Sequence, residues 1–164
     1  MRFHSAEQAI RFSFNISERD EYSRTDLTGT RGTSQDDLSP TDLHAQAAMI
    51  QSMINRLYPM ERDSVLSMYG RGKARTDAVR NLAEYLMPNV SGTVPSNREL
   101  QIILMHWATK RPSIRKIAEE RGVSYRQVCN WRNAVLRAWM PVQIRAIERL
   151  HAKMFGEGGF ELTL

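Results

Sequence analysis

At 164 residues the chain can build one domain with a substantial core or two very small ones. Its 23 Lys and Arg against 18 Asp and Glu give a formal net charge of +5, and a mean hydropathy of −0.48 excludes a membrane-embedded chain. A single cysteine, Cys129, and four scattered histidines exclude a disulfide framework and a cysteine-rich zinc site, so no metal and no cofactor is expected.

No segment approaches the ~18 apolar residues that a spanning helix needs. No basic, then apolar, leader opens the sequence, and the expected compartment is a reducing cytoplasm. The charge is unevenly spread. Residues 1–70 hold 7 basic and 10 acidic groups, whereas residues 71–164 hold 16 and 8. Between 110 and 137 lie Lys110, Arg111, Arg115, Lys116, Arg121, Arg126, Arg132 and Arg137, against only Glu119 and Glu120. One-sided positive charge of this kind suits a polyanion, because neutralising phosphates releases their counterions; a solvated helical face has the same composition.

Ser5 with Gln8 reads as a capping box that opens a short helix with Ala9, Ile10 and Phe14 on its apolar side. From Asn15 to about Ser39 the sequence is rich in Ser, Thr, Asp and Gly. It has too little apolar surface to offset the entropy of ordering, so residues 1–38 are expected to be a short helix and a flexible linker. Ser39 as N-cap and Pro40 at the first helical position start the next helix, with Leu43, Ala47, Ile50, Ile54 and Leu57 at helical spacing. A further helix from Pro59 carries Val65, Leu66 and Tyr69 and stops at Gly70. Another follows Gly72 as far as Met87-Pro88, with Ala78, Leu82, Tyr85 and Leu86 inward, and residues 88–95 read as a loop. Ser96 and Glu99 box the start of a helix with Leu100, Ile103, Leu104 and Trp107 buried, ended by Pro112. No stretch alternates as a strand, and the expected fold class is all-α, with an all-helical domain over 39–156 and a tail over 157–164.

Residues 113–138 carry the sharpest signal. Ile117 and the small Ala118 fit the first helix of a helix-turn-helix, where the second helix crosses closely. Gly122 falls where the turn needs positive φ, Val123 plugs the core, and Ser124 with Gln127 boxes the second helix. Val128 and Trp131 anchor that helix. The opposite side presents Tyr125, Arg126, Cys129, Asn130 and Asn133, flanked by Arg132 and Arg137, and these types suit base edges: Arg pairs twice with guanine, Asn twice with adenine. The candidate DNA-binding residues are Ser113, Arg115, Ser124, Tyr125, Arg126, Gln127, Asn130, Arg132, Asn133 and Arg137. Double-stranded DNA is the expected partner. A helical hairpin used only for protein contacts satisfies the same packing.

The segment LYPMERDSVLSMYG (57–70), followed by SIRKIAEERGVSYRQVCNWRN and AVLRAW, resembles the C-terminal DNA-binding region of bacterial sigma factors. Leu57, Glu61, Arg62, Val65, Leu66, Tyr69 and Gly70 carry the first part; Ile117, Ala118, Gly122, Val123, Ser124 and Val128 carry the second. The resemblance covers about half the chain and implies a helix-turn-helix that recognises a promoter-like element while docked on RNA polymerase. The chain departs from the sigma pattern by 42 residues (71–112) between the two parts, and it has no promoter-melting regions. In architecture it is similar to phage late-gene antiterminators of the Q type. That likeness implies a regulator that binds DNA and loads onto RNA polymerase.

Pro141 is expected to open a last helix with Val142, Ile147, Leu150 and Met154, closing at Gly156. Arg71, Lys73, Arg75 and Arg80 either hold DNA phosphates or solvate their helix. The histidines show no motif spacing to carboxylates, and there is no phosphate loop or His-Glu-x-x-His, so the expectation is a binding protein and not an enzyme. A DNA-binding protein outside transcription, such as a packaging or partition factor, and a helical adaptor are the alternatives.

Overall fold

The computed structural model describes residues 3–22 and 39–156, with the side chains of 18–22 left aside. Among the described residues every regular element is an α-helix: α1 (Ala6–Tyr22), α2 (Pro40–Asn55), α3 (Pro59–Tyr69), α4 (Gly72–Val90), α5 (Asn97–Thr109), α6 (Ile114–Arg121) and α7 (Tyr125–Phe155). The all-α expectation holds. The chain divides into two compact units, Met1–Arg56 with Ile147–Leu164, and Leu57–Ala146. The boundary expected at residue 38 sits at the edge of residues 23–38, and the expected tail over 157–164 likewise lies outside the described residues.

In the first unit, Ser5 Oγ accepts the Gln8 N–H at 3.2 Å, and Gln8 Oε1 accepts the N–H of His4, one residue earlier than a standard capping box would place it. The helix does not end at Asn15. It runs on to Tyr22, which corrects the expected linker start. Ile16 is buried, and the Ser13 and Ser17 hydroxyls bond back to the carbonyls of Ile10 and Ser13, so these residues satisfy themselves along the helix and do not compete with it. Helix α2 starts as expected, with Ser39 and Asp42 forming a complete capping box and Pro40 in the first turn. Its Ala47, Ile50 and Ile54 are buried, and so is Gln46, whose amide finds no hydrogen-bond partner.

The second unit is built around α3, which has no exposed residue after Pro59 although five of its eleven residues are Glu, Arg, Asp or Ser. Small serines let neighbouring helices close on it. Ser64 Oγ accepts from Trp139 Nε1 at 2.7 Å and donates to Gln143 Oε1 at 2.5 Å, pinning α7 to α3 through a fully enclosed network. Gly70 ends α3 in extended backbone (φ −67°), not in the left-handed form of a C′ glycine. Glycine is needed there for closeness: a Cβ would lie 2.4 Å from the Leu66 carbonyl oxygen.

Helix α4 passes through Pro88 to Val90, so the expected loop begins three residues later. Val90 is buried, and its carbonyl takes the N–H groups of Thr93 and Val94, which closes the helix end. Tyr85, expected inward, is 48% exposed, and the inner positions are Ala78, Val79, Leu82, Ala83 and Leu86. Pro141 does not open a new helix either; it lies inside α7. An internal proline costs about 3 kcal/mol. Trp139, Val142 and Ala146 are buried on both sides of it. At roughly 1.5–3 kcal/mol for each large side chain, keeping that stripe in register outweighs the lost hydrogen bond.

Candidate functional site

Helices α6 and α7 are joined by Gly122, Val123 and Ser124, and this corner is assembled from local rules. Ser113 caps α6 by accepting the Lys116 N–H at 3.2 Å. Gly122 ends it in the left-handed region at φ 64°, with its N–H on the Glu119 carbonyl. Val123 N–H returns to the Ala118 carbonyl at 3.1 Å and its side chain packs on the core. Ser124 Oγ accepts the Gln127 N–H at 3.1 Å and opens α7. Ile114, Ile117, Ala118, Val128, Trp131 and Val135 then share one core with α4 and α5. An ion pair braces the back of the corner: Arg121 Nη1 lies 3.3 Å from Glu99 Oε1, joining the end of α6 to the start of α5.

Glu99 is partly buried, which raises its pKa. The Ser96 hydroxyl, the Glu99 backbone N–H, Arg121 and Arg98 together outweigh that effect and hold its carboxyl below the ordinary value. The helix capping serine and the brace therefore act on one carboxylate.

The first half of α7 presents two opposite faces. Val128, Trp131, Val135 and Trp139 are buried. Arg126, Asn130, Asn133 and Arg137 are exposed, and at 3.6 residues per turn they fall within about 60° of arc, diametrically away from the core. Tyr125, 57% exposed, and exposed Gln127 flank this stripe on either side. Arg115 of α6 joins Ala118, Glu119, Gly122, Val123 and Tyr125 around an open depression of about 480 Å³ at the corner.

The ten candidates thus separate. Arg115, Tyr125, Arg126, Gln127, Asn130, Asn133 and Arg137 are exposed on α6 and α7. Ser113 and Ser124 are exposed too, but their hydroxyls are engaged as helix caps. Arg132 points elsewhere: it is half-buried, about 120° around α7 from Arg126, with its Nε enclosed and without a partner. Cys129 is half-buried against the core.

Which cations are engaged is a finding that the sequence did not offer. Lys73 and Arg80 both pair with Asp77, Lys116 with Glu120 at 3.7 Å, Arg62 with Asp63 at 3.6 Å and Arg121 with Glu99. Lys110 lies over the Trp107 ring at 4.3 Å, and Arg75 donates to the Met68 carbonyl. Among the described residues, the side chains of Arg115, Arg126, Asn130, Asn133 and Arg137 make no hydrogen bond or ion pair within the protein. The charge also follows the structural division. The Leu57–Ala146 unit holds 15 basic and 7 acidic residues, and the remainder holds 8 and 11.

Sequence reasoning missed the Glu99–Arg121 brace and the Ser64–Trp139–Gln143 network. Both join residues far apart in sequence, and only the polar residues at inward positions of α3 gave a signal. Among the described residues no three His, Cys, Asp or Glu side chains are grouped to hold a metal ion, and no helix is long and apolar enough to cross a membrane. Comparison with protein-family models gives no match, and comparison with curated proteins gives none either.

Proposed function

We propose that the chain is a sequence-specific DNA-binding transcription regulator acting with RNA polymerase, of the phage late-gene antiterminator kind. Helices α6 and α7 serve as a helix-turn-helix of the sigma C-terminal type. The observation that supports this reading best is the unengaged stripe Arg126–Asn130–Asn133–Arg137. It combines guanidinium and carboxamide groups, which match phosphate and base edges, on the exposed face of a helix fixed rigidly by its other side. Unpaired side chains of these types carry a conformational freedom that the protein does not use for its own stability. A ligand that fixes them displaces only their hydrogen bonds to water and breaks none within the protein.

The function is binding and not catalysis, with double-stranded DNA as ligand and RNA polymerase as protein partner. The basic excess of the Leu57–Ala146 unit supports the first. The second rests on the resemblance of 57–70 and 113–138 to the sigma region. A run-off transcription assay on a template with a downstream terminator tests the whole reading. Read-through that depends on a cognate DNA site upstream is the expected result. New start sites would redirect the reading to activation, and loss of product to repression. A transcript pattern unchanged by the protein would remove the polymerase-linked function and leave an adaptor or a packaging factor.

A further inference from the structure

The stripe on α7 is longer than the region over which a straight helix can touch base edges. By 1.5 Å per residue, Arg126 and Arg137 stand about 16 Å apart along the helix axis, with Asn130 about 6 Å and Asn133 about 10 Å from Arg126. The major groove is about 12 Å wide and winds around the duplex. A straight helix laid in it comes closest to the bases at the middle of the contact and lifts toward the phosphate rails at both ends. Asn has a short side chain with one donor and one acceptor group, enough for the paired contact with adenine but not for reach. Arg has a long arm and a planar fork, which reaches a phosphate from a helix that has lifted away.

Resting on the DNA-binding reading above, we infer that Asn130 and Asn133 are the specificity-determining residues, reading adenines in neighbouring A·T pairs, while Arg126 and Arg137 clamp phosphates on either side of them. The two asparagines are about 4.5 Å apart along the α7 axis, on the scale of the spacing between neighbouring base-pair edges along the groove, which sets them at adjacent pairs. Both are exposed, within about 60° of arc on the same face, and without any partner inside the protein. The ligand class that follows is B-form duplex DNA with two adjacent A·T pairs at the centre of the α7 contact. A-form duplex RNA is excluded as the equivalent ligand, because its major groove is too deep and narrow to admit a helix. Past Arg137 the same line of α7 carries Met140 and Ile144, 40% and 49% exposed, so its polar part ends where the phosphate rail is reached.

The test is selection of bound duplexes from a random DNA library by the full-length protein, repeated with Asn130→Ala, Asn133→Ala, Arg126→Ala and Arg137→Ala. Circular dichroism confirms that each variant keeps the helicity of the parent. The expected parent motif contains two adjacent A·T pairs. Each asparagine variant loses preference at one of them, by roughly 5- to 150-fold, with the salt dependence of binding unchanged. Each arginine variant keeps the motif and binds every duplex more weakly, with the slope of log K against log salt smaller by about 0.9. A selected motif without adjacent A·T pairs, asparagine variants that retain it, or an arginine variant that relaxes one G·C position would overturn the inference while leaving sequence-specific DNA binding in place. No enrichment of any motif would overturn both.

Discussion

Helices α4 and α7 carry similar cations and use them in opposite ways. On α4, Lys73 and Arg80 converge on Asp77, and Arg75 is drawn onto the Met68 carbonyl, where burial and the neighbouring Arg71 lower its pKa. On α7, Arg126 and Arg137 stand on the exposed face with nothing of their own protein to hold. A formal charge of +5 counts both sets alike. The difference shows that net charge alone does not say which cations are free for a ligand, because a cation already paired gains less from an anion than a free one.

The largest effect is expected from removing the support of the free face. Trp139 is fully buried and bonded to Ser64, so Trp139→Ala should destabilise the protein by about 3–5 kcal/mol, read as a fall in the denaturation midpoint. If α7 loses its seat, the stripe loses its alignment and DNA affinity falls with it. A folded Trp139→Ala protein that binds DNA like the parent would show that binding does not depend on the seating of α7 that aligns the exposed stripe.

Gly70 and Gly122 sharpen a second contrast, between glycine required for space and glycine required for conformation. Gly70→Ala places a methyl 2.4 Å from the Leu66 carbonyl oxygen and should cost more than Gly122→Ala, whose added methyl meets nothing within 4 Å. The latter should lose only the ~1–2 kcal/mol of a left-handed residue. Chemical denaturation of the two variants gives the order directly; equal losses would contradict it.

Smaller still is the effect of freeing a paired cation. Asp77→Asn releases Lys73 and Arg80 on α4 and should raise salt-sensitive, sequence-independent DNA binding without altering the selected motif. No gain in low-salt affinity would mean that α4 faces away from the DNA. The least effect is expected from the brace behind the corner. Because the Glu99 carboxyl titrates below its ordinary value when folded, its contribution is complete above the ordinary carboxylate range and is lost as pH falls through the folded pKa. Glu99→Gln should therefore cost about 0.5–1 kcal/mol at pH 7 and less at a pH below the folded pKa. A cost that is the same at both pH values would point to packing instead of charge.

The helices and the corner were legible in the sequence because local chemistry decides them. Ser39, Ser96, Ser113 and Ser124 all cap the helices they precede, and Gly122 takes the positive φ expected of it. The misreadings share one cause. Asn15, Pro88 and Pro141 look like stops in a local window, yet Ile16, Val90 and Val142 continue a buried stripe past each of them, and tertiary burial outweighs the local penalty. Tyr85 failed in the other direction, with a good helical phase at a position that solvent reaches. The candidate site was legible as residue types on one helix face. Its decisive property was not, since the engagement of Lys116 by Glu120 and of Arg121 by Glu99 depends on where side chains meet.

The salt dependence of duplex binding by the full-length protein distinguishes the free cations of α7 from the paired cations of α4, measured for the parent, for Arg126→Ala with Arg137→Ala, and for Lys73→Ala with Arg80→Ala. If the free α7 arginines hold the phosphates, the parent binds in a salt-sensitive way, the slope is smaller by nearly two in the α7 double variant, and it is unchanged in the α4 double variant. Salt-insensitive binding by the parent, or an equal loss from the α4 pair, would contradict that assignment.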